Sequence, residues 1–209
     1  MSVDATTAFD LDNELVLDRQ AAELLFTEAR TANTFSAEPV PEAKLEAIYE
    51  LTKLGPTMMN NQPLRITWVR SAEARERLAS HMAEGNRDKT RTAPMVAILS
   101  YDADWHEHFG TFFPHAAERK AMFDGDAERR AEIAKNNAWL QSGYFIMAVR
   151  AVGLHAGPMG GFDAAGIDAE FNTGSSRRAF LVVNLGTPGD KPWFPRLPRL
   201  AAEVATGTV

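Results

Sequence analysis

The sequence predicts an α+β layered domain, with a mixed sheet sandwiched between helices. Three observations carry that expectation. Several segments show helical periodicity over two or more turns, the strand-like segments are few and rich in β-branched residues, and the two kinds are interspersed. Their order is helix, helix, strand, helix, strand, long helix, strand, tail. A chain of 209 residues is long enough for one domain with its own core. We take residues 1–209 as that single domain, with flexible ends at about 1–12 and 203–209.

Residues 13–32 place Leu15, Leu17, Ala21, Leu24, Leu25 and Ala29 near a helical period. Residues 42–54 repeat the pattern with Leu45, Ile48, Leu51 and Leu54, and Gly55-Pro56 is a stop signal. "RITWVR" (65–70) alternates and is β-rich, so it reads as a strand. "SAEARERLASHM" opens on a serine cap, with Glu73 in the first turn, and reads as a helix. "PMVAILSYD" (94–102) is a continuous apolar run, as expected of a strand covered on both faces. Residues 103–125 hold Trp105, Phe109, Phe112, Phe113 and Phe123 and read as short helices and loops. Residues 126–154 form the longest helical pattern. Its second half is apolar on nearly all sides, which places it in the core or at a subunit interface. "RRAFLVVNLG" (177–186) is a third apolar strand, and the proline-rich tail "TPGDKPWFPRLPRL" reads as extended. The apolar helix points to a homodimer, since a self-complementary patch is usually closed by a twofold axis.

Composition removes several classes of function. The chain is 45% hydrophobic and 24% charged, ordinary for a globular protein. A net charge of -6 argues against a nucleic-acid partner, whose binding domain is usually basic. There is no cysteine, so disulfides, thiolate metal sites and cysteine nucleophiles are excluded. No apolar run approaches the roughly 18 residues a membrane span requires. The acidic start "MSVDATTAFD" has no apolar signal core, so a cytoplasmic protein without a membrane partner is expected. The five histidines are too scattered for a metal site, and none is expected.

The catalytic inventory is thin. The sequence has no phosphate-binding Gly-rich motif, no nucleophile elbow and no zinc-binding helix motif. A chain of this kind fits chemistry carried by a cofactor, with the protein supplying binding and orientation. Three polar loops suit that task. "ARTANTF" (29–35) holds Arg30, Thr31 and Asn33. "GPTMMNNQP" (55–63) holds Thr57, Met58, Met59, Asn60 and Gln62 between two prolines. "HAGPMGGF" (155–162) holds Pro158, Met159, Gly160 and Gly161, where the backbone can approach a ligand closely. The tail adds Arg196 and Arg199, whose guanidinium forks suit phosphate oxygens. Taken singly, each has a plainer reading as a helix-end charge, a turn or a solvated tail.

In this order the motifs resemble the flavin-dependent nitroreductase family. The resemblance rests on Arg30-Thr31-Ala32-Asn33, the Pro56 to Pro63 loop, Ala93-Pro94-Met95-Val96-Ala97-Ile98, Ala151-Val152-Gly153-Leu154, Pro158 to Phe162, Leu185 to Pro188, and the late arginine. It runs from about residue 22 to about residue 200. Within the family, "FTEARTANTF", "GNRDKT", "FFPH", "GPMGGFD" and "RLPRL" are most similar to the malonic semialdehyde reductases of pyrimidine degradation.

The resemblance implies a layered sandwich with a mixed, mostly antiparallel sheet, an intertwined homodimer, and FMN at the dimer interface, reduced by NADH or NADPH. It implies that Arg30 serves the FMN phosphate with Arg196 and Arg199, and that Thr31 and Asn33 face the flavin. Thr57, Met58 and Met59 would reach the partner's cofactor. Asn60 and Gln62 would meet the ring edge, and the Pro158–Gly161 turn would present backbone N–H groups to it. It implies no catalytic side chain, with His115 and Arg119 as substrate contacts and Phe109, Phe112 and Phe113 as a lid. The implied reaction is reduction of malonic semialdehyde to 3-hydroxypropionate. The alternatives are a broad nitro- or quinone reductase and a non-catalytic flavin binder. Three departures stand out: Thr57 where serine is common, Gly160 where glutamate is common, and no lysine or arginine beside Asn33.

Overall fold

The computed structural model describes residues 13–209, so the expectation for 1–12 lies outside the described residues. The first helix is shorter than its periodicity suggests. Helix α1 spans Arg19–Ala22, capped by Asp18, and continues as a π-helical turn over Glu23–Thr27. The chain then leaves helical geometry because its polar groups find other partners. The Ala32 N–H donates to Ala156 O (3.1 Å) and the Asn33 N–H to Pro192 O (2.7 Å).

Helix α2 (Glu42–Thr52) leads through a short 3-10 turn at Met58–Asn60 to β1 (Leu64–Val69). Helix α3 (Ala72–His81) starts at Ser71, whose hydroxyl accepts from the Ala74 N–H at 3.1 Å. Helix α4 (Glu84–Thr92) has no counterpart in the sequence reading, because "EGNRDKTRT" carries no apolar stripe to reveal it. Strand β2 (Met95–Asp102) is followed by a 3-10 turn at Trp105–His108, α5 (Phe109–Phe112) and a 3-10 stretch at Pro114–Met122. The long α6 (Ala127–Ala151) leads to β3 (His155–Met159), α7 (Ala164–Phe171), β4 (Arg177–Gly186) and, in the tail, one turn of α8 (Ala202–Ala205). Strand β3 was hidden by Gly157 and Pro158. Both are tolerated because β3 is an edge strand.

The sheet order is β1-β2-β4-β3. The mostly antiparallel sheet is found, and among the described residues every pairing is antiparallel. Helices cover both faces, which β2 shows residue by residue. Met95, Ala97 and Leu99 join the core under α2 and α6, with Leu45, Ile48, Phe145 and Val149. Val96 and Ile98 join the opposite core with Leu78 of α3 and Ile167 of α7. This alternation on a strand buried on both sides explains its unbroken apolar sequence.

A third cluster gathers Trp105, Phe109, Phe123 and Ala134. Phe109 is only 1% exposed and belongs to this core rather than to a lid; Phe112 and Phe113 pack partly buried against it. Helix α6 is not buried all round within one chain. Ala138, Phe145, Ala148 and Val149 face inward, while Trp139, Leu140 and Tyr144 are exposed. Among the described residues no helix is long and apolar enough to cross a membrane.

Candidate functional site

The two ends of the described chain meet at a cavity of about 260 Å³, lined by Arg30, Thr31, Asn33, Arg150, Arg196 and Arg199, with Trp193 and Phe194. The N-terminal cluster and the tail are stitched together by the chain's own carbonyls. Arg30 Nη1 donates to Phe194 O (3.1 Å), Thr34 Oγ1 to Asp190 O (2.7 Å), and Arg196 Nη2 to Thr27 O (2.5 Å) and Ala29 O (3.4 Å). Four arginines line this cavity and no carboxylate does. Arg30 Nε is buried without a hydrogen-bond partner among the described residues. Buried donors are normally paired, so this one marks a place for an acceptor. An anion with several oxygens suits it best.

Arg150 is a lining residue that the sequence reading missed, since it sits inside the apolar pattern of α6. Its Nη1 donates to Leu25 O at 2.7 Å, and burial holds its pKa below the ordinary arginine value. Beside it, the His155 ring stacks on Trp193 with centroids 5.4 Å apart. Burial, then the neighbouring Arg150 charge, lowers the His155 pKa and favours the neutral ring.

Asn60 and Gln62 line a second, larger cavity of about 650 Å³, with Asn61, Arg65, Arg177 and Phe112 among its walls. The loop feeding it is conformationally unusual. Met59, Asn60 and Gln62 all have positive φ (51°, 56° and 39°), a region that costs non-glycine residues free energy. The conformation is held from several sides. The Gln62 N–H donates to Thr57 Oγ1 (3.2 Å), the Met58 N–H to Asn137 Oδ1 (2.7 Å) and Asn60 Nδ2 to Phe112 O (2.9 Å). Gln62 Nε2 donates to Asn60 Oδ1 (3.0 Å).

Asn61, which was not singled out from sequence, is 1% exposed, and both polar atoms of its side-chain amide lack partners among the described residues. Arg177 lines the same cavity and makes no ion pair among the described residues. Nothing in the sequence marks either residue, because burial and pairing are tertiary properties.

The Pro158–Gly161 turn lies at and beyond the end of β3 and lines neither cavity. Its carbonyl side is anchored: Gly161 O accepts from the Ala83 N–H (3.0 Å) and from Asn86 Nδ2 (3.0 Å). Thr57, Met58 and Met59 also line neither cavity; Met58 is exposed and Met59 packs against the aromatic cluster. The His115 ring lies tilted against Phe113 (4.0 Å between centroids), and the Arg119 guanidinium lies 6.0 Å from the same ring. Neither lines either of these two cavities, and neither makes an ion pair among the described residues. Within one chain Arg30, Thr31, Asn33, Arg196 and Arg199 line one cavity, Asn60 and Gln62 line the other, and the remaining predicted residues line neither.

One acidic cluster, His106, Glu107 and Asp124, has metal-like spacing. Lys120 Nζ bridges its carboxylates at 3.2 Å and 2.8 Å, so a side-chain cation already occupies that role.

Comparison with known proteins bears on this arrangement. The sequence model of the nitroreductase family matches residues 27–187. A Streptomyces griseus protein, provisionally named NADH dehydrogenase/NAD(P)H nitroreductase, is 54% identical over 195 residues, covering 93% of this chain and 99% of the relative. A Streptomyces coelicolor protein of the same provisional name is 50% identical over 186 residues, covering 89% and 92%. Among solved structures, a nitroreductase from Exiguobacterium sibiricum in complex with FMN superposes with a TM-score of 0.78 at 18% identity, covering 90% of this chain and 96% of that one.

Proposed function

The chain belongs to the nitroreductase family, and from that premise we propose that it is an FMN-dependent NAD(P)H oxidoreductase working as an intertwined homodimer. The observation that carries the cofactor assignment is the arginine-lined cavity with the orphaned Arg30 Nε. Those residues fit a phosphate monoester: among the described residues four arginines line the cavity, no acid competes, and one buried donor lacks an acceptor. The relatives' names and the FMN complex of the structural neighbour support the same reading.

In this mechanism Arg30, Arg196 and Arg199 would hold the FMN phosphate, and Thr31 and Asn33 would contribute polar contacts beside them. Asn60 and Gln62 would offer amide groups, Thr57, Met58 and Met59 would contribute from the partner subunit, and backbone N–H groups of Met159–Gly161 would donate hydrogen bonds to the bound cofactor. When bound, FMN supplies the two-electron relay between NAD(P)H and an oxidised substrate. The chain's contribution is positioning, because the predicted contacts in these loops are guanidinium, amide, hydroxyl and thioether side chains and backbone groups. The exposed Trp139, Leu140 and Tyr144 of α6 supply an apolar face for the second subunit.

For the substrate we propose malonic semialdehyde, reduced to 3-hydroxypropionate, with its carboxylate met by His115 or Arg119. The sequence features "GPMGGFD" and "RLPRL" support this. A second reading, a broad nitro- or quinone reductase, is favoured by the names of the relatives.

Purified protein is expected to show flavin absorbance near about 450 nm and to bleach on anaerobic addition of NADPH or NADH. Absence of flavin binding after FMN is added would overturn the reading. Comparing steady-state kcat/KM for malonic semialdehyde and a nitroaromatic decides between the two substrates.

A further inference from the structure

We propose that the Arg65–Asp102 pair is the positioning device that holds the Thr57–Gln62 loop in its left-handed conformation. Arg65 Nη2 meets Asp102 Oδ2 at 2.8 Å. The same guanidinium donates through Nη1 to Gln62 O (2.9 Å) and Leu64 O (3.0 Å). Asp102 is fixed in turn: its Oδ1 accepts from Ser176 Oγ (2.5 Å) and from the Asp104 N–H (3.0 Å). Its own N–H donates to Pro63 O at 2.9 Å.

Two consecutive carbonyls, those of Gln62 and Pro63, are thus gripped from one point at the end of β2, one directly and one through Arg65. Gln62 passes the constraint on, because its Nε2 donates to both Asn60 O (3.2 Å) and Asn60 Oδ1 (3.0 Å). Residues with positive φ persist only where their surroundings over-determine them. Here an ion pair anchored in the sheet adds the grip on the Gln62 end to the contacts that Thr57, Asn137 and Phe112 make with the loop. Arginine is required rather than a generic cation, since one planar fork must reach a carboxylate and two carbonyls together.

The consequence for function rests on the FMN reading. A loop ordered before the cofactor arrives does not lose its conformational freedom on binding, so affinity is preserved. The structural claim does not depend on that reading and is tested without cofactor.

Hydrogen–deuterium exchange of Asp102→Asn and Arg65→Lys, each as the apo protein, is compared with the parent chain. The expected result is faster exchange confined to peptides covering 57–63, at least about tenfold, with β2 and β4 unchanged. Unchanged exchange in the loop, or an increase spread over the whole sheet, overturns the proposal. Arg65→Lys keeps the charge, so it reports on the fork should Asp102→Asn fail to fold. In a second arm, flavin fluorescence titration of the folded variants should show FMN Kd raised by about tenfold and an altered visible circular dichroism of the bound flavin. If the parent chain itself binds no FMN, the cofactor reading fails while the exchange result still decides the clamp.

Discussion

Gly157 and Ala32 meet backbone to backbone: a β-carbon on Gly157 would lie 2.5 Å from the Ala32 carbonyl oxygen. One residue earlier, Ala156 O accepts from the Ala32 N–H at 3.1 Å. The N-terminal polar cluster is therefore laid directly on the edge strand β3, and glycine is what permits the approach. Gly157→Ala is expected to destabilise the protein by about 1–3 kcal/mol, because a backbone carbonyl cannot move aside as a side chain can. Chemical denaturation measures this. Gly160→Ala, where nothing lies within 4 Å, serves as the contrast and should leave stability nearly unchanged.

Arg30 carries the clearest binding prediction, because its buried Nε has no partner among the described residues. Arg30→Ala should weaken FMN by about 1.5–3 kcal/mol, roughly 10- to 150-fold in Kd. Fluorescence titration tests it, and an unchanged Kd would remove Arg30 from the phosphate site. Arg196→Ala should cost less in affinity and more in tail order, since its guanidinium is engaged with Thr27 O and Ala29 O.

His155 predicts a pH dependence. Its folded-state pKa is lowered by burial and by Arg150, so the unfolded chain binds a proton that the folded chain resists. Its neutral ring therefore contributes stability fully above the unfolded value of about 6.5, and that contribution is lost as pH falls through the folded pKa. Unfolding free energy measured from pH 8 to pH 5 should fall on acidification, and His155→Gln should flatten that part of the curve. An identical slope in the variant would assign the effect elsewhere.

The apolar face of α6 predicts the oligomeric state. Trp139, Leu140 and Tyr144 are 44%, 48% and 42% exposed, and Leu51 and Leu54 near the end of α2 add to the exposed apolar surface. Leu140→Asp should shift the protein to monomer in light-scattering chromatography and release flavin with it, since a buried unpaired carboxylate is incompatible with an apolar interface. Retention of the parent mass would place the subunit contact on another surface.

Much of the layered fold was legible because it depends on local periodicity. The unbroken apolar run of β2, the period of α2 and α6, and the Ser71 cap each act within a few residues. What escaped was β3, where Pro158 and Gly157 mask an edge strand, and α4, whose polar sequence has no stripe. The candidate site divides along the same line. Arg30, Asn33, Arg196 and Arg199 stand out as residue types suited to an anion, and the loop Thr57–Gln62 stands out as an excess of amides between prolines.

The sequence by itself determined which groups are available: four segments of donors, no thiol, no nucleophile set, and enough apolar surface to bury a sheet on both faces. Tertiary structure alone decided which of them meet. It joined Arg30 to Arg196 across 166 positions through the tail's hydrogen bonds to the Thr27–Asn33 segment. It added Arg150 from the side of a helix, left the Asn61 side-chain amide buried without a partner among the described residues, and tied Gln62 to Asp102 through Arg65. The reason is physical: periodicity and capping are set by neighbours in the chain, whereas burial, orphaned donors and long-range ion pairs arise only when distant segments pack.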